Sequence, residues 1–509
     1  MSTARTWAIA LTGVDGHVVE IEADLSNQTP EFKLIGLPDK SLAEAVQRVH
    51  NACKNAGLDL PRRRLTVNLS PASLPKQGSG FDLGIAMAVL AAGGSVDRRS
   101  IAHTVHIGEL GLDGRLRPIS GVLPAVYAAA RSGFSQVIVP VANAAEAALV
   151  PDIDVRAAGT LAEVALWHGA DVAVPDVEPV GASAPAPEKG ESLELADVVG
   201  QEEAVEALIV AAAGGHHLLL SGPPGAGKTM LARRLPGILP PLSPSEALEV
   251  ASIRSLTGEP VAALDPLPPL EAPHHSASVA ALVGGGSRVA RPGAIVRAHR
   301  GVLFLDEAAE FSRVALDALR QPLESGSIDV SRAGFTARFP ARFQLILAMN
   351  PCPCGNYGLR GAECVCPSLA IRRYATRLSG PLRDRIDIEL QVARVPASRA
   401  VVGGRSDMTT ALARSRVQEA RERASSRLRG TPWRRNAEVP GVWLRQQSRR
   451  IEASARAPLD RALERGALTL RGYDRVLRLS WTVADLAGCE RPGHDEIGRA
   501  LFLKRGALQ

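Results

Sequence analysis

Gly222-Pro-Pro-Gly-Ala-Gly-Lys-Thr229 fits G-x-x-x-x-G-K-[ST] and lies between a short apolar run, Leu218 to Leu220, and a helix-like segment. A buried strand that runs into a glycine loop and then a helix turns successive backbone N–H groups toward one point, where phosphate oxygens bind. Gly222, Pro223, Pro224, Gly225, Ala226 and Gly227 form this cradle. Lys228 adds a point charge for the β and γ phosphates of a nucleotide, and Thr229 offers a hydroxyl to Mg²⁺. Only 7 of the 59 basic residues are lysine, so a chance match of the whole pattern is improbable.

Two later segments extend the reading. Val302-Leu-Phe-Leu-Asp-Glu307 is an apolar strand ending in two carboxylates. Beside a phosphate loop, Asp306 is expected to hold Mg²⁺ through water and Glu307 to polarise the attacking water; the competing role is to cap the following helix. Leu345 to Ala348 ends in Met349-Asn350, whose amide can orient the same water, although turns also use Asn freely. Strands in this order imply a parallel sheet with its loops at the strands' C-terminal ends. In Gly380-Pro-Leu-Arg-Asp-Arg-Ile-Asp-Ile388 arginines stand beside acids, as a surface ion pair or as a charge inserted into a neighbour's nucleotide site.

The chain has 509 residues, long enough for several domains, and its 46% hydrophobic and 22% charged residues exclude wholesale disorder. Before the loop, Phe32 to Leu37 and Arg64 to Leu69 read as extended and Leu42 to Ala56 and Gly84 to Ala92 as helical, an α/β domain over residues 1–171. Residues 172–196, with Pro175, Pro179, Pro185 and Pro187 and no apolar period, read as a linker. The nucleotide core spans 197–395. From 396 to 509 strand signals vanish, and Asp407 to Arg427 and Tyr473 to Ala487 read as helices of a third domain. That last part carries 23 Lys and Arg against 12 Asp and Glu, a net +11 within a chain of +6, which suits either a polyanion or a solvated arginine-rich helix face. No repeat of solenoid length is present. Apolar runs fall short of the roughly 20 residues a bilayer helix needs, and Met1 to Ala10 lacks an export signal, so no membrane partner and a cytoplasmic location are expected.

The loop, the acidic strand and Asn350, together with Pro273-His-His-Ser-Ala-Ser278, Val283-Gly-Gly-Gly286 and Arg291-Pro-Gly293, resemble the YifB/ComM family of magnesium-chelatase-like AAA+ ATPases. The resemblance covers nearly the whole chain, including Asp197-Val-Val-Gly-Gln201 at the start of the motor and the helical end, which corresponds to the family's lid domain. It implies ATP and Mg²⁺ as cofactors, Lys228 and Thr229 as the Walker A pair, Asp306 and Glu307 as the Walker B pair, and Asn350 as sensor 1. It implies Arg385 as the arginine finger and Arg471 as sensor 2, with Arg475 and Arg478, one and two turns along the same helix face, as alternatives. A finger that works in trans requires a ring, and the family's hexamer is implied by resemblance only. The ComM side of the family implies helicase or branch-migration work on single-stranded or branched DNA during natural transformation. The alternatives are a chelatase motor that drives metal insertion into a porphyrin and a protein-remodelling ATPase. Remodelling motors usually carry an aromatic pore residue, and Val283 to Ala294 contains none.

Cys352-x-Cys354 and Cys364-x-Cys366 place four of the six cysteines within fifteen residues, directly after the Asn350 strand. Four thiolates there suit a structural tetrahedral Zn²⁺ that would stiffen a loop containing Gly355, Gly358 and Gly361; free thiols and regulated disulfides are the alternatives. Adjacency of His274 and His275 is expected to splay their rings apart, against a shared metal. Pro273 to Ile295 shows no core pattern and carries Arg288 and Arg291, while Arg332 and Arg338 flank an expected hairpin, Ile328 to Phe343. These arginines read as phosphate-backbone contacts facing a pore, or else as intersubunit packing. The N-terminal domain resembles the proteolytic domain of Lon, a ribosomal S5 domain 2-like fold, including Pro75-Lys-Gln-Gly78. Asp82 takes the approximate place of the Lon serine, and no lysine lies between Lys76 and Lys189, so a Ser-Lys dyad would lack its base.

Overall fold

The computed structural model describes residues 3–505 apart from 37–41, 43, 77, 182–192, 286–290, 333–334, 360–362, 396–405 and 449–450. Arg288, Gly361 and the proline-rich middle of the expected linker therefore lie outside the described residues, as does the side chain of Arg332.

The first sheet takes β1 (Ala4–Thr12), β2 (Asp15–Ser26), β3 (Glu31–Ile35), β4 (Arg64–Ser70), β5 (Thr104–His106), β6 (Gln136–Pro140) and β7 (Asp154–Ala158). Its seven strands run in the order β3-β4-β2-β1-β5-β6-β7, with β1, β2 and β4 antiparallel and the others pairing parallel. Helices α1 (Ala45–Asn55), α2 (Asp82–Gly93) and α3 (Val122–Arg131) cover it. Every residue of α2 from Asp82 to Ala92 is buried, as expected for a helix that is apolar all round, and Gly94 ends it in the left-handed conformation, φ 87°. Asp82 itself is fully enclosed and takes a two-pronged ion pair from Arg48, at 2.6 and 2.9 Å. Burial raises its carboxyl, the arginine opposes that, and the residue anchors α1 to α2.

The second sheet follows helix α4 (Glu202–Gly214). Its strands are β8 (Leu218–Ser221), β9 (Leu270–Glu271), β10 (Val302–Leu305), β13 (Gln344–Met349) and β14 (Ile388–Gln391), in the order β9-β10-β13-β8-β14 and parallel throughout. Helix α5 (Lys228–Ile238) leaves the phosphate loop and α6 (Pro244–Thr257) follows it. β8, β10 and β13 are buried on both faces, which explains why each reads as an unbroken apolar run. A hairpin of β11 (Ser327–Arg332) and β12 (Phe335–Pro340) stands between β10 and β13. Helix α7 (Ser368–Ala375) follows the cysteine loop. The C-terminal part is helical, with α8 (Thr410–Arg427), α9 (Leu470–Ala487) and α10 (His494–Arg505) packed on one another and on the motor.

Two expectations need correction. Pro273 to Ile295 does contain core residues, since Leu282, Ala294 and Ile295 are buried in the cluster beneath β10 and β13. They are too few and too widely spaced to make a period. Much of the arginine-rich face of α8 is also committed within the chain. Arg414 donates to the Gly237 carbonyl at 2.6 Å, Arg421 to that of Ala212 at 2.7 Å, and Arg416 and Arg427 pair with Glu206 and Asp485. Arg421 meets the C-terminal end of α4, where the helix dipole favours a cation, and burial pulls its guanidinium down to about 9.

Candidate functional site

The phosphate loop is shaped by its glycines. Gly225 and Gly227 sit at φ 74° and 84°, and a side chain on Gly222 would meet the Val392 carbonyl oxygen, so each position needs a residue without a Cβ. Gly227 is the N-cap of α5, so the helix opens at the loop and its first N–H groups face the same space. A cavity of about 460 Å³ lies there, lined by Pro224 to Met230, Asp306, Glu307, Met349 and Asn350.

The tips of three parallel strands converge on this cavity. Lys228 Nζ donates to the carbonyls of Gly222 (2.7 Å) and Pro223 (2.9 Å) and to Asn350 Oδ1 (3.1 Å). Burial pulls the ammonium below the usual lysine range, and Asp306 and Glu307 oppose that. Thr229 Oγ1 donates to Asp306 Oδ2 at 2.6 Å, and Asp306 Oδ1 accepts the Glu307 N–H at 2.9 Å. A hydroxyl and a carboxylate oxygen facing one another at the cavity wall are hard donors of the kind Mg²⁺ takes together with phosphate oxygens, so the residues fit that ion. Glu307 has φ 49° and ψ 46°, a left-handed conformation rare for a residue with a side chain, which carries strain of order 1–3 kcal/mol.

Glu307 has a further partner that no sequence pattern marks. His275 Nδ1 lies 3.2 Å from Glu307 Oε2. The rings of His274 and His275 do not splay; their centroids are 4.1 Å apart at 34°, and His274 Nδ1 is 2.7 Å from Ser276 Oγ. A turn at 275–276 folds the adjacent residues so that their imidazoles stack, and neighbours in a regular strand would not do so. Pattern and spacing carry no signal for a contact between residues 32 positions apart.

The assigned arginines lie elsewhere. Arg385 donates to Glu324 and, at 2.6 Å, to the Pro381 carbonyl, while its buried Nε has no partner. Arg471 is 75% exposed and 3.5 Å from Asp384, the residue next to Arg385. Arg475 is buried against Asp387, and Arg478 Nε donates to the Val439 carbonyl. Among the described residues lining the phosphate cavity none of these four appears. The fold thus groups Arg385 with Arg471, away from the nucleotide cavity of the same chain. Arg338 lies at the base of the hairpin, where it is exposed and bonded to Ser327.

The four cysteine sulfurs lie within 4.8 Å of one another. Cys352 to Cys354 is 3.4 Å and both are 3.7 Å from Cys364. Sulfurs about 2.3 Å from a tetrahedral zinc would stand about 3.8 Å apart, so the cluster has the span that ion needs. Gly355, at φ 80°, brings the loop directly onto Pro224; a Cβ there would come within 2.4 Å of the proline ring.

Comparison with known proteins agrees with this architecture. Residues 194–400 match the family described as magnesium chelatase, subunit ChlI; 21–143 match subunit ChlI of Mg-chelatase; and 407–504 match the ChlI C-terminal family. The chain is 50% identical to the uncharacterized protein Rv2897c of Mycobacterium tuberculosis over 100% of both chains. It is 42% identical to the competence protein ComM of Haemophilus influenzae, over 98% of this chain and 97% of that one. It is 39% identical to the protein YifB of Escherichia coli, over 96% and 94%. A stretch of 156 residues is 32% identical to the Lon protease of Mycolicibacterium smegmatis, over 29% of this chain and 18% of that protein. No helix among the described residues is long and apolar enough to cross a membrane. With a parallel P-loop core, a Lon-like first domain, a helical end and full-length relatives at this identity, the chain belongs to the YifB/ComM family of magnesium-chelatase-like AAA+ ATPases.

Proposed function

We propose that this chain is an ATP-hydrolysing motor that assembles as a homo-oligomeric ring, hexameric in the family's manner, and acts on single-stranded or branched DNA as a helicase or branch-migration enzyme. The observation that carries the hydrolytic part is the convergence of Lys228, Thr229, Asp306, Glu307 and Asn350 on one cavity. The DNA part is supported by the likeness to a competence protein.

In this reading the loop N–H groups and the first turn of α5 donate to the phosphates of ATP. Lys228 exchanges the carbonyls of Gly222 and Pro223 for β and γ oxygens. Thr229 and Asp306 hold Mg²⁺, which when bound neutralises charge on the β and γ groups. Glu307 takes a proton from the attacking water, Asn350 turns that water in line, and His275 sets the direction of the Glu307 carboxylate. Arg385, with Arg471 beside it, completes the site of the neighbouring subunit, where a guanidinium stabilises the charge of the transferring phosphoryl group. Cys352, Cys354, Cys364 and Cys366 hold a structural zinc that fixes the loop against Pro224.

The residues 1–171, 197–395 and 396–509 act as partner-binding domain, motor and lid. Forked or Holliday-junction DNA is expected to raise ATP turnover severalfold. Turnover that ignores every DNA but rises with an unfolded protein would overturn the DNA reading in favour of remodelling. A chelatase motor remains the second reading, because the matching families are described as chelatase subunits.

A further inference from the structure

The N-terminal domain meets the motor through apolar packing of α3 on α6, where Leu248 and Ala251 join the cluster of Val122, Leu123 and Val126. The Leu123 and Gly121 N–H groups donate to Ser255 Oγ and O, at 3.3 and 3.0 Å. A second contact brings Gly13, in the β1–β2 turn, against the Arg338 carbonyl of the hairpin. Between these contacts an open cleft of about 850 Å³ remains, walled on one side by the β1–β2 turn and the end of α3 and on the other by α6 and the hairpin base.

The two walls carry an unequal balance of charge. Arg131 enters from α3, and Arg300, Arg338 and Arg342 from the motor; the lining acids are Asp15 and Glu249, and Arg300 and Arg338 are paired further with Glu246 (3.1 Å) and Asp329 (3.8 Å), which leaves Arg131 and Arg342. Glu249 is already engaged, at 2.9 Å from Arg300 and 3.2 Å from His299, and these partners hold its carboxyl down to about 2. Arg131 and Arg342 are exposed and have no carboxylate partner among the described residues. Neither cation is needed to hold the domains together, since the apolar contact of α3 and α6 does that. Like charges facing each other across a cleft repel when it is empty and focus a favourable potential for an anion that enters. The Arg131 guanidinium also lies 5.8 Å from the Tyr127 ring centroid, an aromatic and arginine pair of the kind on which unpaired bases stack.

We propose that this cleft is a second nucleic-acid contact, in which Arg131 and Arg342 hold phosphates of a single strand against the hairpin base. The N-terminal domain then forms one wall of the strand's path. The inference rests on the DNA reading above and adds to it a contact between the N-terminal domain and the motor. Phosphates, not base edges, are the recognised groups, so the contact strengthens binding without selecting sequence.

The test uses the full chain and a fluorescein-labelled single-stranded oligonucleotide, with affinity measured across a salt series. Arg131→Ala combined with Arg342→Ala should weaken binding about tenfold or more and flatten the salt slope by about 1.4, the value for two single-strand phosphate contacts. ATP binding at the phosphate loop serves as the folding control. Arg131→Lys with Arg342→Lys should restore most of the slope, because it returns the charges. A benzophenone side chain in place of Tyr127 should crosslink to the oligonucleotide. If the parent binds and the alanine pair matches it in affinity and slope, the cleft is off the strand's path while the DNA reading stands. If the parent itself binds no oligonucleotide, the DNA reading fails and this inference with it.

Discussion

The Lys228 ammonium is satisfied by two loop carbonyls and by Asn350, which turns it inward, and the proposed function has it exchange the carbonyls for phosphate oxygens. Lys228→Ala is expected to abolish measurable ATP binding in a fluorescent-nucleotide titration. Glu307→Gln keeps the cavity but removes the proton acceptor, so ATP should bind as in the parent while turnover falls by about 10²–10⁴; retention of normal phosphate release would remove Glu307 from its role. At Gly355 both the left-handed backbone and the Pro224 ring exclude a side chain. Gly355→Ala should therefore cost at least about 1 kcal/mol of stability by chemical denaturation and weaken nucleotide binding through the displaced loop.

At the scale of elements, the buried strands were the most legible part of the chain. Leu218 to Leu220, Val302 to Leu305 and Leu345 to Ala348 all lie inside β8, β10 and β13, because strands covered on both faces read as apolar runs. β14 was missed. Its Ile-Glu-Leu-Gln sequence buries Glu389, whose charge is met by Arg383 and Lys504 from elements distant in sequence or turned by a loop, so a core strand reads as a polar one. The acidic pair after its strand and the spacing of the cysteines are legible in the sequence, Asn350 only as a strand-tip amide, and His275 not at all, since a turn and not a period brings it to Glu307.

The cysteine loop yields a metal prediction. Purified protein should hold about one zinc per chain, and stripping it with a chelator should lower the melting temperature; less than half an equivalent would contradict the site.

The N-terminal sheet yields a pH prediction. His106 and His168 are buried with their Nε2 atoms 3.1 Å apart, His106 Nδ1 is 2.8 Å from Thr6 Oγ1, and His168 Nδ1 is 2.7 Å from Ser100 Oγ. A chain of donors and acceptors in this order closes when both rings are neutral, and an added proton sets two N–H groups against each other. Burial lowers both, with Arg156 adding to the effect at His168, which is brought down to about 4 from 6.5. Because the unfolded ring accepts a proton that the folded one refuses, stability should be full above about pH 6.5 and fall as pH drops toward 4, by about 3 kcal/mol for His168. Denaturant titrations at a series of pH values read this, and His168→Gln should flatten the dependence.

For the whole molecule, Arg471 pairs with Asp384, the neighbour of Arg385, and neither arginine lines the phosphate cavity of its own chain, so the finger role proposed for Arg385 requires a second subunit. Arg385→Ala should bind ATP and hydrolyse none. Mixed with Lys228→Ala subunits it should recover part of the parent turnover, since some interfaces then pair an intact cavity with an intact finger; no recovery in mixed rings would place the finger in cis. Part of the basic excess of the C-terminal part is committed within the chain, because Arg414, Arg416 and Arg421 of α8 bind carbonyls and a carboxylate of the motor and Arg427 pairs with Asp485 of α9. Phosphate release by the purified chain, followed with Mg²⁺ and ATP in the presence and absence of forked DNA, bears most directly on the motor. Turnover that depends on Lys228 and rises severalfold with the DNA is the expected result, and no release above the Lys228→Ala background under any DNA or protein added would contradict it.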